Sequence, residues 1–321
     1  MRLPRLAACA ALIAAAWSAP PAHAELRLRV MTYNVHWAVG VSAATGRSTG
    51  RVELAPVIRD IRRSGAQVVS LQEAQSYRFG DGTTFSEPRE LAKALGWTAG
   101  GVGRHYFFRG GVPIAKWCRR LSDGRAVVRR IGRRRARCVR HGEALLSRHR
   151  LAGKRSFSLY RADGDAADGD ALGTHEGRVL VRARIRLAGV RLWLFSAHLA
   201  REAPVASCQL ATALRRAGLG RPALLLADLN MTSMTRAEPN CPEAPERPFD
   251  LLREARFHER RPVPFSYPAY APVRPADHVL VRGASVLSTR TLRNCRPRRA
   301  GGARVCSSDH RPLLARLVIR P

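Results

Sequence analysis

Acidic residues are scarce in this chain. It carries 24 Asp and Glu against 56 Lys and Arg, a formal net charge of +32 over 321 residues. Such an imbalance argues against a strongly basic partner and predicts an anionic one: nucleic acid, an anionic lipid surface or a phosphorylated substrate. Lysine is nearly missing as well, occurring only at Lys93, Lys116 and Lys154. Arginine-rich codon usage accounts for arginine over lysine, but not for the shortage of carboxylates. No CxxC spacing exists, which argues against a structural zinc site. After the N-terminus no apolar run is long enough to span a bilayer, and no internal repeat appears. Aromatics make up 6% and hydrophobic residues 45%, enough for one large core or two modest domains.

The first residues read as a secretory signal. Arg2 and Arg5 precede an apolar stretch from Leu6 to Trp17, and Ala22-His23-Ala24 is a small-x-small cleavage site. Leu6-Ala7-Ala8-Cys9 is only superficially a lipoprotein site, because most of the apolar run follows Cys9. The expected organisation is a signal over 1–24 and a single domain over 25–321, with a basic insertion around 110–140; a secreted or periplasmic monomer is expected. Cleavage removes Cys9 and leaves Cys118, Cys138, Cys208, Cys241, Cys295 and Cys306. An even set in an exported chain favours disulfides. Sequential pairing, 118–138, 208–241 and 295–306, is preferred because each bond closes one local loop.

Several short apolar strands end in polar residues. Leu26, Leu28 and Val30 alternate with arginines and lead into Tyr33-Asn34. Leu54, Val57, Ile58 and Ile61 recur at helical spacing before Gly65. Val68 to Leu71 runs into Gln72-Glu73, and Ala144-Leu145-Leu146-Ser147 is another short strand. Leu91 and Leu95 fit a helix ending at Gly96. Val179–Leu187 and Leu192–Phe195 form a hairpin about Ala188-Gly189, running into Ser196-Ala197-His198. Pro204 starts a helix that stops near Gly218. Ala223–Ala227 delivers Asp228-Leu229-Asn230, Asp277-His278 opens a strand, and Ser308-Asp309-His310 precedes the last one, Leu313–Ile319. Between Cys118 and Cys138 lies a dense run of arginines around a Ser122-Asp123-Gly124 turn, read as a basic hairpin suited to gripping a phosphate backbone. Asp163, Asp165, Asp168 and Asp170 match no EF-hand pattern and read as a loop. The pattern as a whole predicts α/β (α+β) architecture, two packed sheets with outer helices.

Taken in order, Tyr33-Asn34, Gln72-Glu73, Ala144-Leu145-Leu146-Ser147, Ser196-Ala197-His198-Leu199, Asp228-Leu229-Asn230, Ser266-Tyr267-Pro268, Asp277-His278-Val279 and Ser308-Asp309-His310 resemble the endonuclease/exonuclease/phosphatase superfamily, the DNase I-like fold. The resemblance covers nearly all of residues 26–320. It implies a four-layer α-β-β-α sandwich with two mainly antiparallel sheets and the site at one edge. It also implies phosphodiester hydrolysis with a divalent metal, Mg2+ with Mn2+ or Ca2+ as alternatives, held by Glu73 with Asn34 and Asp309. His310 is the implied general base, oriented by Asp277. His198 would bind a phosphate oxygen or protonate the leaving group, with Glu143 paired to it. Asp228 and Asn230 would position water and phosphate, and Arg178 and Ser266 would contact substrate. Two departures stand out. The usual Gly-Asp-Phe-Asn is Ala227-Asp228-Leu229-Asn230 here. Where abasic-site enzymes carry an Asp, this chain has His36, which argues against abasic-site repair.

The expectation is therefore a secreted nuclease, most readily on DNA. A lipid-headgroup phosphodiesterase or phosphatase is the alternative; such enzymes need an apolar membrane-contact hairpin, and the candidate hairpin here is arginine-rich. A non-catalytic polyanion-binding module is the second alternative, against which the intact set Glu73, His198, Asp228, Asn230, Asp277 and His310 argues.

Overall fold

The structure is a computed structural model. It describes residues 25–110, 130–131, 134–159, 178–218, 220, 222–232, 235, 247–297 and 302–320, without the side chains of 110, 130–131 and 134–138. In chain order the strands are β1 Leu26–Asn34, β2 Val39–Ser42, β3 Ser48–Val52, β4 Val68–Phe79, β5 Thr84–Ser86, β6 Tyr106–Gly110, β7 Arg130–Ile131, β8 Arg134–Ser147 and β9 Ala152–Ser158. They continue as β10 Val179–Leu187, β11 Val190–His198, β12 Ala223–Asp228, β13 Asp277–Arg282, β14 Ser285–Thr291, β15 Cys295–Pro297, β16 Arg304–Cys306 and β17 Leu313–Ile319. One sheet has the order β14-β17-β1-β4-β8-β6, with β5 and β7 on its flanks; a second runs β13-β12-β11-β10-β9; a small third runs β15-β16-β2-β3.

Side-chain alternation sets the layers. In β1, Leu28 and Val30 enter a core shared with Val181, Leu194, Leu224 and Val279 of the second sheet. Met31 and Tyr33 face the other way, onto Val57 and Ile61 of helix Leu54–Ser64 and Leu91 of helix Glu87–Ala94. In β12, Leu224 and Leu226 enter the inter-sheet core, while Leu225 and Ala227 meet Leu210 of helix Ala203–Ala217 and Phe249 of helix Pro248–Glu254. A strand covered on both faces needs an unbroken apolar run, which Ala223–Ala227 supplies. The result is the expected α-β-β-α sandwich. Truncating an inter-sheet residue such as Leu226 to Ala would cost about 2–5 kcal/mol.

Several local expectations change. Ala144–Ser147 is the end of the long strand β8, not a separate one. A helix at Pro248–Glu254 follows the Pro-rich stretch at 239–248, where no helical periodicity is visible. β7 pairs with the start of β8, Arg130 opposite Arg135; the Cys118–Cys138 bond, the Ser122-Asp123-Gly124 turn and the Asp163–Asp170 cluster lie outside the described residues. Cys295 and Cys306 stand opposite one another in β15 and β16 and are bonded. Cys208 is disulfide-bonded too; Cys241 lies outside the described residues. Among the described residues no helix is long and apolar enough to cross a membrane.

Candidate active site

Strand register brings the polar strand ends together. Parallel pairing of β11 and β12 sets His198 opposite Asp228, and antiparallel pairing of β12 and β13 sets Asp228 opposite Asp277. All three share the parity of Leu194, Leu226 and Val279, so they face between the sheets. From the larger sheet, Asn34 ends β1 opposite Gln72 of β4. The loop before β17 adds Asp309 and His310.

Glu73 arrives by a different route. Ser70 and Gln72 point inward, Gln72 Nε2 donating to Ser70 Oγ at 2.7 Å. Regular pleating would turn Glu73 outward with Leu71. Instead β4 slips register against β8 between Leu71 and Ala74, and Glu73 sits at φ 55°. Left-handed backbone costs a non-glycine residue about 1–3 kcal/mol. The extra residue re-aims the carboxylate inward, where Asn34 Nδ2 donates to Glu73 Oε1 at 3.0 Å. Glu73 is thus not at a strand end, since β4 continues to Phe79.

Asp228 is the hub. Its Oδ2 accepts from Asn34 Nδ2 at 3.0 Å and lies 3.5 Å from His198 Nε2 and 3.6 Å from His310 Nε2. Its Oδ1 accepts the Asn230 main-chain N–H at 3.0 Å. Burial raises its pKa, the His310 charge pulls it back, Asp277 raises it again, and it stands at about 6. His310 Nδ1 meets Asp277 Oδ2 at 2.8 Å. Burial alone would lower the His310 pKa, but Asp277 and then Asp228 overcome it and raise it to about 10. His310 is therefore an imidazolium at neutral pH, and Tyr267 packs its ring 4.8 Å away.

His198 is the opposite case. Burial lowers its pKa well below the usual value, and Arg178, His141 and His310 push the same way. Arg178 Nη1 lies 2.7 Å from His198 Nδ1. A guanidinium can only donate, so Nδ1 accepts and the proton of the neutral ring is on Nε2. Asn230 Nδ2 lies 3.1 Å from that Nε2, where both are donors and cannot bond, and donates to the Leu199 carbonyl at 3.0 Å.

Two expected contacts are corrected. Glu143 does not pair with His198. Its Oε2 accepts from Ser196 Oγ at 3.0 Å, and the Arg178 charge acts on both groups. Arg178 touches His198 and is partly exposed. Ser266 is 0% exposed, and its Oγ accepts the N–H groups of Ala276 and Asp277 at 3.2 Å, so it holds Asp277 in place and cannot touch substrate.

A family model described as the Endonuclease/Exonuclease/phosphatase family matches residues 31–310, a span that contains all these side chains. The chain belongs to this family. Solved relatives share the fold at low identity. An endonuclease/exonuclease/phosphatase from Beutenbergia cavernae DSM 12333 is 20% identical at a TM-score of 0.61, over 92% of this chain and 72% of that one. A family member from Bacteroides thetaiotaomicron is 14% identical at 0.60, over 93% and 100%. The mannosyl-6-phosphatase Bt3783 of Bacteroides thetaiotaomicron VPI-5482 is 14% identical at 0.58, over 91% and 100%. No curated protein matches the sequence.

Endonuclease/exonuclease/phosphatase proteins are phosphoester hydrolases that generally use divalent metals. The residues here fit such an ion. Asp228 and Asp277 offer carboxylate oxygens in a group with His310 whose ligand atoms lie within 4.8 Å of one another, and His310 itself could join only after losing its proton. Among the described residues Asp277 Oδ1 is buried without a hydrogen-bond partner, and oxygen-rich donor sets suit hard cations. Asn34 presents nitrogen to Glu73 and Asp228, because its Oδ1 accepts the His36 N–H at 3.1 Å. To act as a ligand it would have to turn that amide.

Some members of the site were missed. His36, Trp37 and Ala38 all have positive φ, 43°, 60° and 51°, in a turn directly after Asn34. Trp37 Nε1 donates to His141 Nδ1 at 2.7 Å, and His36 stacks on Trp37 at 4.8 Å. The available signal was His141, two residues before Glu143 on one strand and hence on its face. His278, which follows Asp277 on the strand, bonds Glu259 Oε2 at 2.8 Å and meets the Met231 carbonyl at 2.9 Å, a structural tie.

Proposed function

We propose that this protein is a divalent-metal-dependent phosphodiesterase that cleaves nucleic acid, most readily DNA, outside the cytoplasm after loss of residues 1–24. The observation that carries this is one buried carboxylate, Asp228, set between a neutral imidazole and a charged one, with Glu73 alongside. The scissile phosphate would sit against His198 and Asn230. Water attacking phosphorus must lose a proton as the P–O bond breaks, and the leaving alkoxide must gain one, which the Nε2–H of His198 would supply. Asp228, near 6, is matched to take the water proton at neutral pH. The charge on His310 supports moving the base role from His310 to Asp228, with His310, fixed by Asp277, as a positively charged donor to phosphate oxygen. Glu73, with Asp309 and a turned Asn34, would hold Mg2+, with Mn2+ or Ca2+ as alternatives; the cation would neutralise charge on phosphate and leaving oxygen.

A lipid-headgroup substrate is the second reading, favoured by one observation. Phe265, Tyr270 and Val273 are 53%, 42% and 69% exposed on the loop that carries Ser266-Tyr267. Sequence reasoning sought an apolar contact surface at 110–140; this loop offers one elsewhere. The test is a panel of plasmid, RNA, sphingomyelin and phosphoinositide with magnesium or EDTA. Plasmid nicked only with magnesium is expected. Plasmid intact in both, or turnover confined to the lipids, rejects the nuclease reading.

A further inference from the structure

A second cleft, of about 480 Å³, opens beside the His310 loop, lined by Ala43, Ala44, Tyr270, Arg293, Arg304 and Arg311 among others. Among the described residues no carboxylate lines it and none of the three arginines is in an ion pair. Two are anchored through the backbone. Arg311, the residue after His310, donates from Nε to the Ala269 carbonyl at 2.7 Å, and Ala269 in turn donates its N–H to the Asp309 carbonyl at 2.6 Å. Arg304 Nη2 donates to the Cys295 carbonyl at 3.1 Å, on a wall closed by the Cys295–Cys306 bond. Burial lowers the Arg311 pKa, and the charges of Arg293 and Arg304 lower it further. Tyr270 lies against Gly46, where a Cβ would stand 3.0 Å from its hydroxyl and where φ is 67°. A side chain there would displace the ring that closes the cleft.

Gathering cations without an acid is unfavourable unless an anion joins them. Guanidinium forks converging on a concave space match phosphate oxygens. A bilayer would meet the exposed Phe265 and Val273 of the neighbouring loop, whereas the recess itself presents guanidinium groups. We propose that this cleft binds a second phosphate of the same nucleic-acid strand, one flanking the phosphate at the candidate active site. The proposal rests on the nuclease reading and adds to it a minimum substrate: a chain, not a single phosphodiester.

The test uses Arg293→Ser combined with Arg304→Gln, leaving Arg311 because it adjoins His310. Fluorescence anisotropy of a labelled oligonucleotide is followed in EDTA across a salt series. Affinity should fall roughly tenfold and the log–log salt slope should flatten by about one. Turnover of bis(4-nitrophenyl) phosphate, which has no second phosphate, should be unchanged. Arg293→Ser alone, at an exposed position, should move affinity in the same direction without changing the thermal midpoint. Unchanged oligonucleotide binding overturns the proposal, as does an equal loss on the small diester. So does loss of binding to phosphatidylserine vesicles with oligonucleotide binding intact, which would assign the cleft to a lipid headgroup. Binding is read without hydrolysis, so an inability to cut DNA would sink the nuclease reading and leave this result standing.

Discussion

At the scale of single residues, the chemistry turns on where two protons reside. Asp228 Oδ2 lies near Asn34, His198 and His310, and the two rings differ in charge because their neighbours differ. His310 has carboxylates around it; His198 has Arg178. Asp228→Asn removes the proposed proton acceptor, and His310→Gln removes the positive charge while keeping a donor. Each should lower kcat by about 100-fold or more on a small diester, and oligonucleotide binding should persist in both. Because the two groups act together, the double variant should be little worse than either single one. Additive losses would show that they work separately.

At the scale of elements, helix Leu54–Ser64 does more than cover a sheet. It buries Asp60, which accepts from Tyr33 Oη at 3.4 Å and from Ser307 Oγ. Asn294 links Tyr33 Oη, at 3.3 Å, to the His310 carbonyl, at 2.8 Å. The helix, β1 and the His310 loop are thereby joined in one buried network. Burial raises the Asp60 pKa from 3.8 to about 6. Since the folded pKa exceeds the unfolded one, the folded state holds the proton longer. This contribution is full below about pH 4 and is lost as pH rises to about 6, costing roughly 3 kcal/mol. Asp60→Asn should flatten that part of the stability profile, measured by urea denaturation between pH 4 and 7; an unchanged slope would contradict the assignment. Much at this scale was legible in the sequence. Apolar runs such as Ala223–Ala227 ending in acids or imidazoles gave both the strands and the residues at their ends. What was not legible depends on parity or reach. Alternation puts Glu73 on the wrong face until a bulge is inserted, and only folding brings Arg178 against His198 and Ser196 against Glu143.

At the scale of the whole molecule, the fold and the charge do separate jobs. Three apolar layers close the sandwich without help from the polar edge. EDTA should therefore abolish turnover while leaving the far-ultraviolet circular dichroism unchanged; unfolding on chelation would mean that the cation is part of the structure. The +32 charge acts at long range. Raising salt from 50 to 200 mM should weaken action on a polymeric substrate steeply, by about a hundredfold or more, and barely affect a small diester. Equal effects on both would assign the charge to solubility rather than substrate capture. The kink at Glu73 carries one more consequence. Were a single neighbouring position lost from that strand, the pleat would run on unbroken, the layers would still close, and the acid would stand among the helices. Such a chain would keep the outline of its relatives and be inert, so at identities near 14% resemblance of shape alone is a poor guide to which cousins remain enzymes.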